Sequence, residues 1–161
     1  MKSSVRKKKR VYAALVAAGL IKNYRGEILL TERKGQKGKW TIPTGHMDPQ
    51  DKDLSKALLR EMKEEIPTLE IVIIEPLGTY VVNGGSAKEP KSIEVFSCNT
   101  SSSPEIIDYL IEGKERRNVV WIRPSQALKL SLDNLAFFAV KEYLKKYRRK
   151  KGGNGYEREK K

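Results

Sequence analysis

The spacing of apolar and polar positions divides the chain into strand-like stretches arranged around two amphipathic helices. Residues 11–21 form an apolar run rich in alanine and β-branched residues. Asn23, Tyr24, Arg25 and Gly26 follow as turn residues, and Glu27 to Glu32 returns, so 11–21 and 26–32 are expected to pair as a hairpin. Residues 34–39, with two glycines, read as a loop, 40–43 as a short extended segment, and the chain to about Asp51 as a further loop. From 53 to 66 the period changes. Leu54, Leu58, Met62 and Ile66 recur at helical spacing and form one apolar stripe. Strand-like runs return at 69–83, broken near Pro76, and at 92–98 and 118–122, with turn chemistry at 83–91. Ser103 is placed to cap a short helix starting at Pro104. A terminal helix puts Leu132, Leu135, Ala139, Tyr143 and Tyr147 near one face. The mixture lacks regular βαβ alternation, which favours α+β, as a layered α/β/α sandwich with a mixed central sheet.

The helix at 53–66 also carries chemistry. Glu61 and Glu65 lie one turn apart with Glu64 beside them, an arc of about 100°. That arc overlaps the edge of the apolar stripe near Leu54 and Ala57, while Lys56 and Lys63 take the opposite face. A plain solvated face would mix the signs. Three carboxylates at a half-buried edge repel one another unless a cation neutralises them. Their oxygens suit a hard divalent ion, magnesium or manganese.

The preceding loop sharpens this reading. "GKWTIPTGHMDPQDKDLSKALLREMKEEIP" resembles the Nudix signature, G-x5-E-x7-R-E-U-x-E-E-x-G-U with U a bulky aliphatic residue. Trp40, Pro43 and Gly45 match the segment leading into it, and Ala57, Arg60, Glu61, Met62, Glu64 and Glu65 match its helical half in register. The later "NVVWIRPSQALKL" looks like the family's strand ending in tryptophan before a short helix, so the resemblance spans about 11–146. There are departures. Thr44 stands in place of a glycine, Asp51 in place of the early glutamate, one residue is inserted within 52–55, and Pro67 replaces the closing glycine.

The resemblance implies a magnesium-dependent hydrolase that cleaves a pyrophosphate linkage in a nucleoside diphosphate derivative or nucleoside triphosphate. Glu61, Glu64 and Glu65 would be the metal ligands, and Arg60 would orient Glu64. In the family it resembles, an additional acid from a loop near the late strand often serves as base or extra metal ligand. Glu112 and Glu115 are both available here, and Glu115 is selected by its position in the loop. Gly45, His46 and Lys39, with Lys37 nearby, are candidate substrate contacts, and Trp40 is assigned to the core. Two alternatives keep the fold: an RNA-end pyrophosphohydrolase, and a non-catalytic nucleotide- or RNA-binding module.

Composition adds the division of the chain. The net charge of +13 is carried entirely by the ends: 1–10 holds six basic residues and no acid, 145–161 holds nine basic residues and two acids, and the stretch between is neutral. A basic N-terminal arm (1–10), one domain (11–147) and a basic, glycine-containing tail (148–161) are therefore expected, the arms being footprints for a polyanion such as RNA. The basic start followed by an apolar run imitates a signal peptide, but the run is too short to span a bilayer and continues into the hairpin. A single cysteine, Cys98, leaves no disulfide, which fits a reducing, cytoplasmic setting. A single histidine excludes any site needing two. The expected state is a monomer or homodimer.

Overall fold

The computed structural model describes residues 15–82, 91–102, 109–112 and 115–153. The expectations for 11–14, the turn at 83–90, the Ser103-capped helix and both extreme ends lie outside the described residues. The strands are β1 (Leu15–Lys22), β2 (Ile28–Arg33), β3 (Gln36–Thr41), β4 (Thr44–His46), β5 (Ile71–Val82), β6 (Lys91–Thr100), β7 (Tyr109–Glu112) and β8 (Glu115–Ile122). The helices among the described residues are α1 (Leu54–Glu65), α2 (Pro124–Ala127) and α3 (Asn134–Gly153). The sheet runs β5-β6-β1-β2-β8-β7, with β3 added on β2 and β4 on β1. The fold is the expected α+β sandwich.

The alternation of residues in the central strands gives both faces a core, as a doubly covered sheet requires. On one face Ala17, Ile21 and Leu29 meet Leu58, Met62 and Ile66 of the α1 segment. On the other, Val16, Ala18, Leu20, Ile28 and Leu30 meet Leu135, Ala136, Ala139, Val140 and Tyr143 of α3. The two middle strands are nevertheless splayed. β1 runs parallel to β6 from Leu15↔Ser92 to Lys22↔Asn99, yet meets β2 at one rung, Lys22↔Ile28. β4 takes up β1's free edge at Val16–Ala18, and β3 pairs with β2. The Thr41–Thr44 connection bridges the two strands and lines a cleft.

Several local expectations change. Of the expected hairpin only the turn forms: Asn23 Oδ1 accepts from the backbone N–H of Arg25 (2.9 Å) and of Glu27 (3.0 Å), and beyond Lys22↔Ile28 the two strands part to pair with other neighbours. The expected loop at 34–39 is mostly strand β3. Gly35, at φ 69°, makes the tight turn that lets Gln36–Thr41 return along β2, and a register shift at Glu32/Arg33 absorbs the irregularity. β8 starts at Glu115, three residues earlier than expected, and pairs with β7, so Glu115 is a strand residue opposite Glu112 rather than part of a loop. The terminal helix runs to Gly153, into the span expected as a tail. No described helix is long and apolar enough to cross a membrane.

Candidate active site

The α1 segment is positioned by its two ends. Asp53 is the N-cap, with Oδ1 accepting from the Lys56 N–H at 2.9 Å and from Ser55 Oγ at 2.6 Å. At the other end Pro67 disfavours a helical Ile66, which adopts φ −135°, ψ 76°, and the helix stops at Glu65.

Arg60 organises the loop ahead of the helix. Its Nε and Nη2 donate to Asp51 Oδ1 and Oδ2 at 3.1 and 2.9 Å, and Nη2 also donates to the His46 carbonyl at 3.0 Å. The Asp51 side chain is 5% exposed. The Asp48 N–H donates to its Oδ2 at 2.8 Å, so Asp51 joins the loop to the helix from both sides. The Arg60 hydrogen bonds, with help from that N–H, hold the Asp51 carboxyl below its ordinary pKa. The same partner raises the guanidinium's own value. The shorter acid thus fills the early-glutamate position. Arg60 Nη1 faces Glu61 Oε1 at 3.2 Å and Glu64 Oε1 at 3.6 Å, so Arg60 grips Asp51 more closely than the Glu64 it was expected to orient.

Gly45 is buried, paired with Ala17 of β1 and pressed against α1. A Cβ there would lie 2.7 Å from Glu61 Cγ and 3.1 Å from the Ala57 carbonyl oxygen. Its place is explained by close packing under the first glutamate. The His46 side chain is exposed. Lys39 Nζ lies 3.5 Å from Ser131 Oγ. None of Gly45, His46 and Lys39 lines the cleft between the splayed strands.

That cleft, of about 450 Å³, has Glu65 in its wall. Arg33 and Lys34 reach it from the end of β2 and beyond, Arg117 from β8, Tyr80 from β5, and Asp133 and Asn134 from the start of α3. Arg117 is fixed by its Nε donating to the Glu32 carbonyl at 2.7 Å and Nη2 to Thr31 Oγ1 at 3.4 Å. Three cations therefore share a cavity with the last carboxylate of α1. Sequence reasoning missed them because Arg33 and Lys34, at the end of β2, meet Arg117 only through the pairing of β2 with β8.

The glutamates are graded in exposure: Glu61 is 24% exposed and Glu64 62%, while Glu65 is half-buried. Among the described residues no three carboxylate, histidine or cysteine side chains converge into a ready-made cage. The donor set still fits a hard divalent ion, because all three acids are oxygen donors on one edge of α1.

A family model for the NUDIX domain matches residues 13–145. The chain belongs to the Nudix family of pyrophosphohydrolases. Solved Nudix-like structures reproduce the fold. The MutT protein from Methanosarcina mazei Go1 is 21% identical, with a TM-score of 0.60 over 87% of this chain and 97% of the other. A Caenorhabditis elegans Ap4A hydrolase is 23% identical, with a TM-score of 0.57 over 81% and 95% of the two chains. The NUDIX domain of Shewanella oneidensis NrtR, complexed with ADP ribose, is 18% identical, with a TM-score of 0.61 over 83% and 87%. No curated protein matches the chain. Nudix hydrolases generally use divalent metal ions, in keeping with the acids on α1.

Proposed function

We propose that this Nudix chain hydrolyses a pyrophosphate linkage in a nucleoside diphosphate derivative or nucleoside triphosphate, with magnesium as the ion and manganese as a substitute. The observation that carries the reading is Glu65. It belongs to the glutamate edge of α1 and to the wall of a cleft that also holds Arg33, Lys34 and Arg117. Two similar folds, solved as an Ap4A hydrolase and in complex with ADP ribose, support a nucleotide-type substrate.

Hydrolysis needs one oxygen–phosphorus bond made from water, the bridging P–O bond broken, and water's proton accepted by a base. Glu61, Glu64 and Glu65 would hold the divalent ion, which supplies charge neutralisation across the phosphates and activation of water. Arg33, Lys34 and Arg117 bind phosphate oxygens and offset the repulsion among them. Arg60, through Asp51, fixes the loop relative to α1 and is a positioning residue. Glu115, a strand residue of β8 opposite Glu112 rather than the loop acid expected, is kept as the proposed proton acceptor on the family resemblance alone. Release of phosphate or nucleotide from a panel of such substrates, with magnesium and with chelator, is the test. Absence of turnover across the panel would refute the reading.

RNA is a second candidate substrate because the excess charge lies at the ends of the chain. Since α3 reaches Gly153, and 154–161 holds three basic against two acidic residues, the clean test keeps the helix and replaces Arg148, Arg149, Lys150 and Lys151 with glutamine. A working tether predicts weaker RNA binding and a shallower salt slope, by roughly 0.7 for each RNA phosphate that the variant no longer neutralises. An unchanged slope makes that segment a solubility element.

A further inference from the structure

Arg33 stands in the wall of the cleft, and its place is set from outside the strand that carries it. The β2–β3 ladder shifts register between Glu32 and Arg33, an irregularity that re-aims the side chain at the strand end. Trp40, opposite Glu32, then uses its other edge on the connection between α2 and α3. Its N–H donates to the Ser131 carbonyl at 2.9 Å, its carbonyl accepts from the Asp133 N–H at 2.8 Å, and it bridges Leu132 in parallel. One strand residue paired on both edges thus brings Asp133 beside Arg33, and both line the cleft.

The Asp133 carboxylate is divided between two tasks. Oδ1 accepts from the Ala136 N–H at 2.8 Å, and the Asp133 carbonyl accepts from the Phe137 N–H at 2.9 Å, the pattern of an N-cap on α3. Oδ2 faces Arg33 Nε at 3.9 Å. Only 12% of the Asp133 side chain is exposed, against 45% for Arg33, so the acid is the fixed partner and the guanidinium the adjustable one. The contact is through Nε, and a guanidinium held there still has its terminal nitrogens to give to an anion. A helix cap needs no charge, since asparagine or serine serves as well. An acid in the wall of a cleft for phosphates would by itself repel the substrate. Its charge is accounted for by Arg33.

We propose that Asp133 is a positioning residue for Arg33: tied to α3 by one oxygen, it holds the guanidinium at the cleft with the other, so that the substrate meets a cation already oriented. This rests on the pyrophosphohydrolase reading above, in which Arg33 binds phosphate oxygens, and adds to it an acid that acts without touching the substrate.

Asp133→Asn is the deciding variant, because asparagine keeps the cap and loses only the charge. KM for the best substrate of the panel should rise roughly two- to fivefold, as for loss of a partly exposed ion pair, while kcat and the melting temperature stay close to wild type. An acid unconnected with Arg33 predicts the opposite sign, a lower KM once its repulsion is gone. Arg33→Gln completes a double-mutant cycle, in which Asp133→Asn should add no further rise. An unchanged or lowered KM in Asp133→Asn, or an equal rise in the Arg33→Gln background, overturns the proposal. Calorimetric binding of inorganic pyrophosphate without metal runs the same cycle without turnover. If the wild type binds pyrophosphate but hydrolyses nothing in the panel, the hydrolase reading fails alone and the binding cycle decides the role of Asp133 by the same criteria. A wild type that neither binds nor hydrolyses overturns both.

Discussion

The guanidinium of Arg60 meets the Asp51 carboxylate side-on, with donor–acceptor distances of 3.1 and 2.9 Å, across a stretch of loop that also presents the His46 carbonyl to the same nitrogen. Such paired, charge-assisted bonds specify geometry as well as charge. Arg60→Lys keeps the charge but cannot reproduce the fork. Its expected effect is a fall in kcat of roughly ten- to a hundredfold, comparable to loss of an outer-shell partner. Asp51→Asn should act in the same direction. The pH dependence follows from the lowered Asp51 pKa, caused first by Arg60. A depressed carboxyl contributes stability that is complete well above ~3.9, the ordinary aspartate value, and is lost as pH falls through the folded value. Acid unfolding of Asp51→Asn should therefore show a shallower loss of stability below that range than the wild type. Parallel acid titrations followed by circular dichroism check this.

Glu64→Gln and Glu65→Gln are nearly isosteric and leave the apolar stripe of α1 untouched. Each should reduce turnover by at least about 10²-fold with little change in melting temperature, because a lost metal ligand outweighs a surface charge change of ~0.5 kcal/mol. Near-native turnover in either variant would remove that residue from the metal site.

Gly45→Ala tests the packing of β4 on α1. The new methyl lies too close to Glu61 and the Ala57 carbonyl for either to stay in place. Overpacking of this kind costs typically about 1–3 kcal/mol, and displacing Glu61 should lower activity beyond the loss of fold. Denaturant unfolding alongside kinetics of the folded fraction separates the two effects.

The proton acceptor can be assigned by comparing Glu115→Gln with Glu112→Gln. These two positions face each other across β7 and β8. The first should slow turnover by about 10²–10⁴-fold and flatten the acidic limb of the kcat profile, and the second should do little. Equal, minor effects would place the base elsewhere.

The parts legible in the sequence are those with a strong period or a local rule. The α1 helix is visible from Leu54, Leu58 and Met62. The edge position of Glu61 is visible too, because helical spacing alone fixes which residues share a face. The end at Ile66 follows from Pro67. Strand β3 is not legible, since Gln36-Lys37-Gly38-Lys39 has no apolar alternation and becomes a strand only by pairing with β2. Strand β7 lacks an isolated signal for a similar reason, its pairing with β8 being what defines it. The part played by Asp51 is decided only by geometry, because a shorter acid can serve if the loop brings it closer. The cleft cations are illegible in principle: Arg33 and Arg117 share a wall through strand pairing across the sheet.

The parallel pairing of β1 with β6 imposes an order of assembly. A ribosome delivers β1, the hairpin and the whole glutamate helix long before Lys91–Thr100 exists to lie beside β1. Until then the apolar stripe of α1 lacks Phe96 and Cys98, and Val119 and Trp121 come later still. Closing so long a loop is the slow entropic step for a non-local parallel pair. The carboxylates are thus synthesised early and seated late, and a nascent chain released before β6 has every residue of the signature without the floor on which it is built.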